Sequence, residues 1–322
     1  MIRTATAVLG LAGLGAAVAL IVYQGQRAVL SALAAGGVGL VWASLFHAVP
    51  MAINARAWQV LMPGARPPSL AAFAWFVWVR EAVNGLLPVA RIGGEVVSVR
   101  LLVKHGVRPA SAVASLVVDM TVSIVSQFVF TVIGLGLLVL VTTDVATVGR
   151  IALGLAVTIP IVGALVLVQR AGAFALVARA LQRLTGGRFA GLVGGSARID
   201  RAIRLFYRRR NRLLRCSLWQ LAGWIAGSGE IWLALYYLGH PVSLLAALLL
   251  EALAQAVSSA AFMVPGALGV QEGGFLLFGS LLGLGPEVAL ALALARRVRD
   301  LVVFVPALVT WQLSEGRRLL VR

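Results

Sequence analysis

Residues 82–109 read AVNGLLPVARIGGEVVSVRLLVKHGVRP, and residues 259–286 read SAAFMVPGALGVQEGGFLLFGSLLGLGP. Pro88, Glu95, Gly106 and Pro109 of the first stretch recur 177 positions later as Pro265, Glu272, Gly283 and Pro286 of the second. In each copy a proline interrupts an apolar run, a carboxylate follows seven residues on, and a Gly-x-x-Pro turn opens the next long apolar segment. Proline removes a backbone donor and breaks a helix interior. Glycine permits open backbone, and at membrane depth such backbone is tolerated only against protein or a water-filled cavity. Two interruptions at one offset suit a duplicated broken or re-entrant element, the kind that lines binding sites in membrane transporters. The further coincidences Ala90/Ala267, Ala112/Ala289 and Ala114/Ala291 add little in a chain so rich in alanine.

Composition sets the solvent. The 322 residues are 61% hydrophobic, mean hydropathy is +0.97, and most of the length falls into apolar runs able to cross a hydrocarbon core of roughly 30 Å. The expected class is an all-α polytopic membrane protein of about six to eight transmembrane helices, with two broken or re-entrant segments. Three histidines and the single Cys216 exclude a disulfide framework and offer no metal-ligand spacing. Residues 5–23 exceed a signal peptide's apolar region and precede no small-residue cleavage site, so they read as a retained first span. No cofactor is expected, and without a Gly-x-x-x-x-Gly-Lys loop neither is ATP hydrolysis.

A net charge of +17 on a soluble protein would suggest nucleic acid. Here twelve of the 27 arginines lie between Arg170 and Arg215, beside the single acid Asp200. That clustering between apolar runs fits a cytoplasmic loop under the positive-inside rule, and no nucleic-acid partner is expected. Leu176, Ala180 and Leu184, then Ile199, Ile203 and Phe206, recur at helical spacing, so 170–215 reads as a basic amphipathic loop lying on the anionic inner leaflet. With that loop and the Arg317, Arg318, Arg322 tail inside, both termini fall in the cytoplasm. Spans near 109–141 and 150–169 run out and back, and those near 214–238 and 287–313 run out and, finally, in. The two copies, about 69–141 and 244–313 within a single transmembrane domain of residues 1–322, are then inverted.

Arg296, Arg297, Arg299 and Asp300 begin about ten residues into the last span, roughly 15 Å from its outer end. Each charge facing lipid opposes insertion by about 2.5–3.5 kcal/mol, so these residues must face protein, water or a ligand. Asp119 holds the position equivalent to Arg296, which leads to the expectation of an Asp119–Arg296 ion pair across the copies, with Arg296 and Asp300 one turn apart. One reading is a purely structural charge network. The other notes that Asp119 and Asp300 do not neutralise three guanidiniums, and that guanidinium geometry suits phosphate or carboxylate.

The interruptions carry their own polar groups: Arg80, Glu81, Asn84, Arg91, Gly93, Gly94, Glu95 and Arg100 in the first, Gly269, Gln271, Glu272, Gly273 and Gly274 in the second. A helix starting near Gly94 or Gly273 points its N-terminal amides at an anion; alternatively the glycine pairs only permit close packing. Glu95 and Glu272 are expected to pair with Arg91, Arg100 or the Arg296 cluster, or to carry a proton. Gly223-x-x-x-Gly227 reads as a helix-packing face. Glu230, Glu251 and Gln255 show no identifiable partner, His47 and His240 read as isolated interfacial or loop residues, and Trp75, Trp78, Tyr236 and Tyr237 fit an interfacial belt.

Pro88-Val-Ala-Arg91-Ile-Gly-Gly94-Glu95 followed by Arg100 resembles the signature of the lysylphosphatidylglycerol synthetase transmembrane, or flippase-like, family. So does Pro265-Gly-Ala-Leu-Gly-Val-Gln-Glu-Gly-Gly274 followed by Ala-Leu-Ala-Arg296-Arg297-Val-Arg299-Asp300. The resemblance covers most of the chain. It implies a bacterial inner-membrane protein akin to the membrane half of MprF-type proteins, which move aminoacylated phosphatidylglycerol, or to stand-alone HpnL-type members associated with hopanoid genes. The sequence ends at Arg322 without a soluble aminoacyl-transferase domain, so lysyl transfer is not expected. The leading expectation is a lipid translocase that binds an anionic head group through Arg296, Arg297, Arg299, Glu272, Gln271, Glu95, Arg91 and Arg100, with Asp119, Asp300 and Glu81 balancing charge. Its partners are membrane lipids and, in a scaffold reading, lipid-biosynthesis enzymes. A membrane-embedded enzyme using Glu95 or Glu272 as base is the alternative, and is disfavoured because no nucleophile, metal site or oriented base is visible.

Overall fold

The computed structural model describes residues 31, 33–62, 67–87, 93–141, 149, 190–260 and 269–319. The expected spans at 5–23 and 150–169, the prolines Pro88 and Pro265, Arg91, and the basic stretch up to residue 189 lie outside them. The described residues contain no strand. They form ten helices: α1 (Gly39–Phe46), α2 (Ala48–Leu61), α3 (Leu70–Leu86), α4 (Gly93–Lys104), α5 (Pro109–Val141), α6 (Ala190–Arg208), α7 (Arg210–Tyr237), α8 (Leu244–Ala260), α9 (Val270–Leu281) and α10 (Pro286–Leu319).

Local chemistry sets the ends of these helices. Ser69 caps α3 by accepting from the Ala72 amide at 3.2 Å, satisfying one otherwise unpaired donor. The helix stops at Leu87, extended at φ −103°, ψ 144°, as the residue before a proline prefers. The two Gly-x-x-Pro turns share one construction. Gly106 and Gly283 adopt φ of +86° and +74°. Val107 and Leu284 donate back to the carbonyls of Leu102 (3.3 Å) and Gly279 (3.0 Å), while Gly106 and Gly283 donate to Val103 (3.0 Å) and Ser280 (3.1 Å). Each is a Schellman closure requiring a left-handed residue, and Pro109 and Pro286 then open α5 and α10 with a preset φ. Accordingly α4 and α9 are both 12 residues long and begin 177 positions apart.

Two apolar clusters hold the helices together. One centres on Trp58, Phe73 and Phe76, whose rings meet edge to face at 5.2–6.5 Å; it joins α2 to α6 and the end of α10. The other joins α1, α7, α8, α9 and the first half of α10. Gly223 of α7 admits α2: a Cβ there would stand 2.3 Å from Asn54 Oδ1, which agrees with the packing role read from Gly223-x-x-x-Gly227. The apolar side of α6 is not free for the leaflet as expected. Ile203 and Phe206 are buried among α2–α5 core residues, which leaves Arg201, Arg204 and Arg208 on its outer side. Trp75 and Trp78, expected in an interfacial belt, instead turn their indole N–H groups onto α10, to Thr310 Oγ1 (3.1 Å) and the Val303 carbonyl (2.7 Å).

Among the described residues, Pro109–Leu138 is long and apolar enough to cross a bilayer, at mean hydropathy 2.0; Leu244–Ser259 is apolar but shorter. Helices α7 and α10 carry charged residues within their apolar length. Yet Arg296 and Glu230 are buried, whereas Val298, Leu301, Val305, Val309 and Leu313 form an exposed stripe along α10, at the three-to-four residue spacing of one helix face.

Candidate functional site

The arginines expected at mid-membrane depth project from one stretch of α10 into carboxylates supplied by its neighbours. Arg296, 4% exposed, pairs through Nη2 with Glu251 Oε2 of α8, and its Nε stands 3.8 Å from Glu230 Oε1 of α7. Its guanidinium also covers the Phe275 ring of α9 at 5.3 Å, a cation–π contact that needs no further acid. Arg299 donates to both oxygens of Glu230 (2.8 and 3.0 Å) and through Nη2 to Asp300 (2.6 Å). Arg297, the most exposed of the three at 22%, donates Nη2 and Nε to Glu272 Oε1 of α9 (2.9 and 3.2 Å). The arginine surplus read from the sequence is therefore met by Glu230, Glu251, Glu272 and Asp300.

Asp119 does not meet Arg296. It accepts from Arg80 Nη1 of α3 at 3.2 Å and from Gln220 Nε2 of α7 at 2.8 Å, while the Arg80 guanidinium lies over Trp58 at 5.4 Å. The reason is geometric: each segment closes its own pair, α3 to α5 through Arg80–Asp119 and α8 to α10 through Glu251–Arg296, with the charges exchanged between the two. Asp300 likewise serves Arg299 rather than Arg296.

At the two helix starts the protein supplies its own oxygens. Glu272 Oε2 accepts from the Gly269 amide at 2.7 Å, at an N-cap whose φ of +77° suits glycine. A carboxylate thus occupies the positive end of α9 while its other oxygen serves Arg297. At α4 the Asn84 side chain stands in: Oδ1 accepts from the Gly94 amide (2.9 Å) and Nδ2 donates to both Glu95 oxygens (3.0 and 3.1 Å). Gly94 is needed for close approach, since a Cβ would lie 2.4 Å from the Arg80 carbonyl, whereas a Cβ on Gly273 would meet nothing within 4 Å. Gln271 is buried in the first turn of α9 and Arg100 is exposed on α4.

His47, Arg80, Glu230 and Glu251 complete the site, although sequence reasoning left all but Arg80 as isolated polar residues. His47, at the α1–α2 turn, places Nδ1 2.8 Å from Glu230 Oε2 and Nε2 3.3 Å from Glu81 Oε2. The one available signal was the cost of a lone carboxylate in an apolar run, which says that Glu230 and Glu251 have partners without saying which. The enclosed space beside Glu230, Arg296 and Arg299 amounts to about 10 Å³, room for at most one water. In this conformation the deep arginines form a closed ion-pair lattice. The described residues hold no cluster of His, Cys, Asp and Glu suited to a metal.

Residues 8–307 match the lysylphosphatidylglycerol synthase transmembrane region. The chain belongs to that family. No curated protein and no solved structure matches the chain. Membership places this lattice in a membrane protein family concerned with lipid, and explains a molecule that buries arginine and exposes valine and leucine.

Proposed function

We propose that this chain is an integral, multi-pass lipid translocase of the bacterial inner membrane that handles a lipid with a phosphate-bearing head group. The observation that carries the reading is the Arg297–Glu272 pair. Glu272 is a resident anion held by a partly exposed arginine and by the start of α9, two groups suited to a phosphate ester. A head-group phosphate entering there replaces Glu272 on both, and the freed carboxylate is then available to a cationic substituent or to the gate. Arg296 and Arg299, locked to Glu251, Glu230 and Asp300, frame the site.

The proposed arrangement has about six to eight crossings, inverted copies at about 69–141 and 244–313, and cytoplasmic termini. The matched helix starts and Schellman turns of α4 and α9 support the duplication. The apolar outer stripe of α10 opposite its buried charges supports a bilayer around it, since burial there is the reverse of a water-soluble protein.

Purified protein in liposomes tests the reading against its rivals. Movement of a labelled phosphatidylglycerol between leaflets without chemical change supports a translocase. Chemically altered lipid makes the chain an enzyme, and unmoved, unaltered lipid leaves a scaffold for biosynthetic enzymes.

A further inference from the structure

His47 stands between carboxylates supplied by two helices. Glu81 reaches it from α3, Glu230 from α7, and Arg299, bonded to Asp300, from α10 with Nη1 3.5 Å from Nδ1. Arg296 and, through it, Glu251 of α8 lie next beyond Glu230. Helix α1 carries no charged residue, and the one charge of α2, Arg56, donates to Gln59.

Ionised carboxylates only accept hydrogen bonds, and a neutral imidazole has one N–H. With one carboxylate oxygen at 2.8 Å from Nδ1 and another at 3.3 Å from Nε2, a neutral ring would aim a lone pair at a carboxylate. A donor, Arg299 Nη1, also stands near Nδ1, but at 3.5 Å it is farther off than the Glu230 oxygen at 2.8 Å, so the closer contacts suit a ring protonated on both nitrogens. From this geometry we propose that His47 is held as imidazolium by Glu81 and Glu230, and that loss and recovery of this proton are coupled to lipid movement. The transport half of the inference rests on the translocase reading above; the proton-binding half does not.

The step balances simply. His47 gives its Nε2 proton to the Glu81 carboxylate, which becomes a neutral acid; Glu81, 26% exposed, releases the proton to water and is again a carboxylate. The ring stays neutral with its remaining proton on the Glu230 side, and its Nε2 lone pair now faces Glu81. The contact between α3 and the α1–α2 turn loses its attraction. Glu81 lies one turn before Asn84, which holds the start of α4, while Glu230 holds Arg299. Proton occupancy at His47 therefore bears on both segments at once.

Two measurements on the full chain separate the parts. In detergent, nitrogen-15 spectra of histidine-labelled protein distinguish imidazolium from either neutral tautomer, with the His47 signal assigned by its loss in His47→Gln. The expected result is a doubly protonated His47 at neutral pH, and a deprotonation midpoint moved to lower pH by Glu81→Gln, which removes a negative neighbour. A singly protonated ring throughout about pH 5 to 8, or a midpoint unmoved by Glu81→Gln, overturns the site. In vesicles of phosphatidylethanolamine and phosphatidylglycerol, the movement of labelled phosphatidylglycerol is expected to depend on pH in the parent and to lose that dependence in His47→Gln. A dependence that survives His47→Gln, or a parent indifferent to pH, overturns the coupling. If the spectra show imidazolium but no lipid moves at any pH, the translocase reading fails and the proton site stands.

Discussion

Removing one member of a buried ion pair leaves the other charge uncompensated, at a cost of about 3–5 kcal/mol. Asp119→Ala and Arg80→Ala should each lower the thermal midpoint of the purified protein sharply, and the double variant should lose less than the two together, with a coupling of about 0.5–3 kcal/mol. Asp119→Ala combined with Arg296→Ala should instead be additive, because these side chains belong to different pairs; coupling there and none between Asp119 and Arg80 would contradict the described contacts. Reading Asp119 against Arg296 from their equivalent positions failed for a physical reason. A shared offset places two residues alike within their own helices, but partners are chosen by which helices touch. The cost of lone charges in lipid made it legible that the Arg296 cluster faces inward, whereas His47, Glu230 and Glu251, single polar residues in apolar runs, gave no direction to their partners.

At the level of the helices, Gly94 and Gly273, each in the first turn of its helix (α4 and α9), make opposite demands. Gly94→Ala drives a Cβ into the Arg80 carbonyl and the Asn84 side chain, within 2.4 and 2.8 Å, so it should push α4 off α3 and reduce the yield of folded protein. Gly273→Ala meets nothing and relieves a helical glycine of about 1 kcal/mol of unfavourable propensity, so it should be neutral or stabilising in a melting experiment. Equal loss from both would mean that the two helix starts are packed alike. The Gly-x-x-Pro turns were legible because a left-handed glycine and a helix-opening proline act locally. The cap by Asn84 was not, since it depends on α3 folding back over α4, and neither was the burial of α6, whose apolar face reads the same whether its cover is lipid or protein.

For the whole molecule, the proposed orientation rests on the arginines between Arg170 and Arg215. Cysteines placed in that stretch of a Cys216-free variant should resist an impermeant thiol reagent in intact cells, while cysteines at Gly239 or Gly285 should react. Labelling of the basic stretch from outside would invert the arrangement. The central claim, that a head-group phosphate takes the place of Glu272 on Arg297, is tested most directly by lipid movement in proteoliposomes made with parent, Arg297→Ala, Arg297→Lys and Glu272→Gln proteins, each confirmed as folded by its melting transition. The account predicts that the parent moves labelled phosphatidylglycerol unaltered, that Arg297→Ala slows it strongly, that Arg297→Lys restores only part because a point charge lacks the forked contact, and that Glu272→Gln changes the rate by loosening the resident anion. Folded variants that all move lipid at the parent's rate would contradict it.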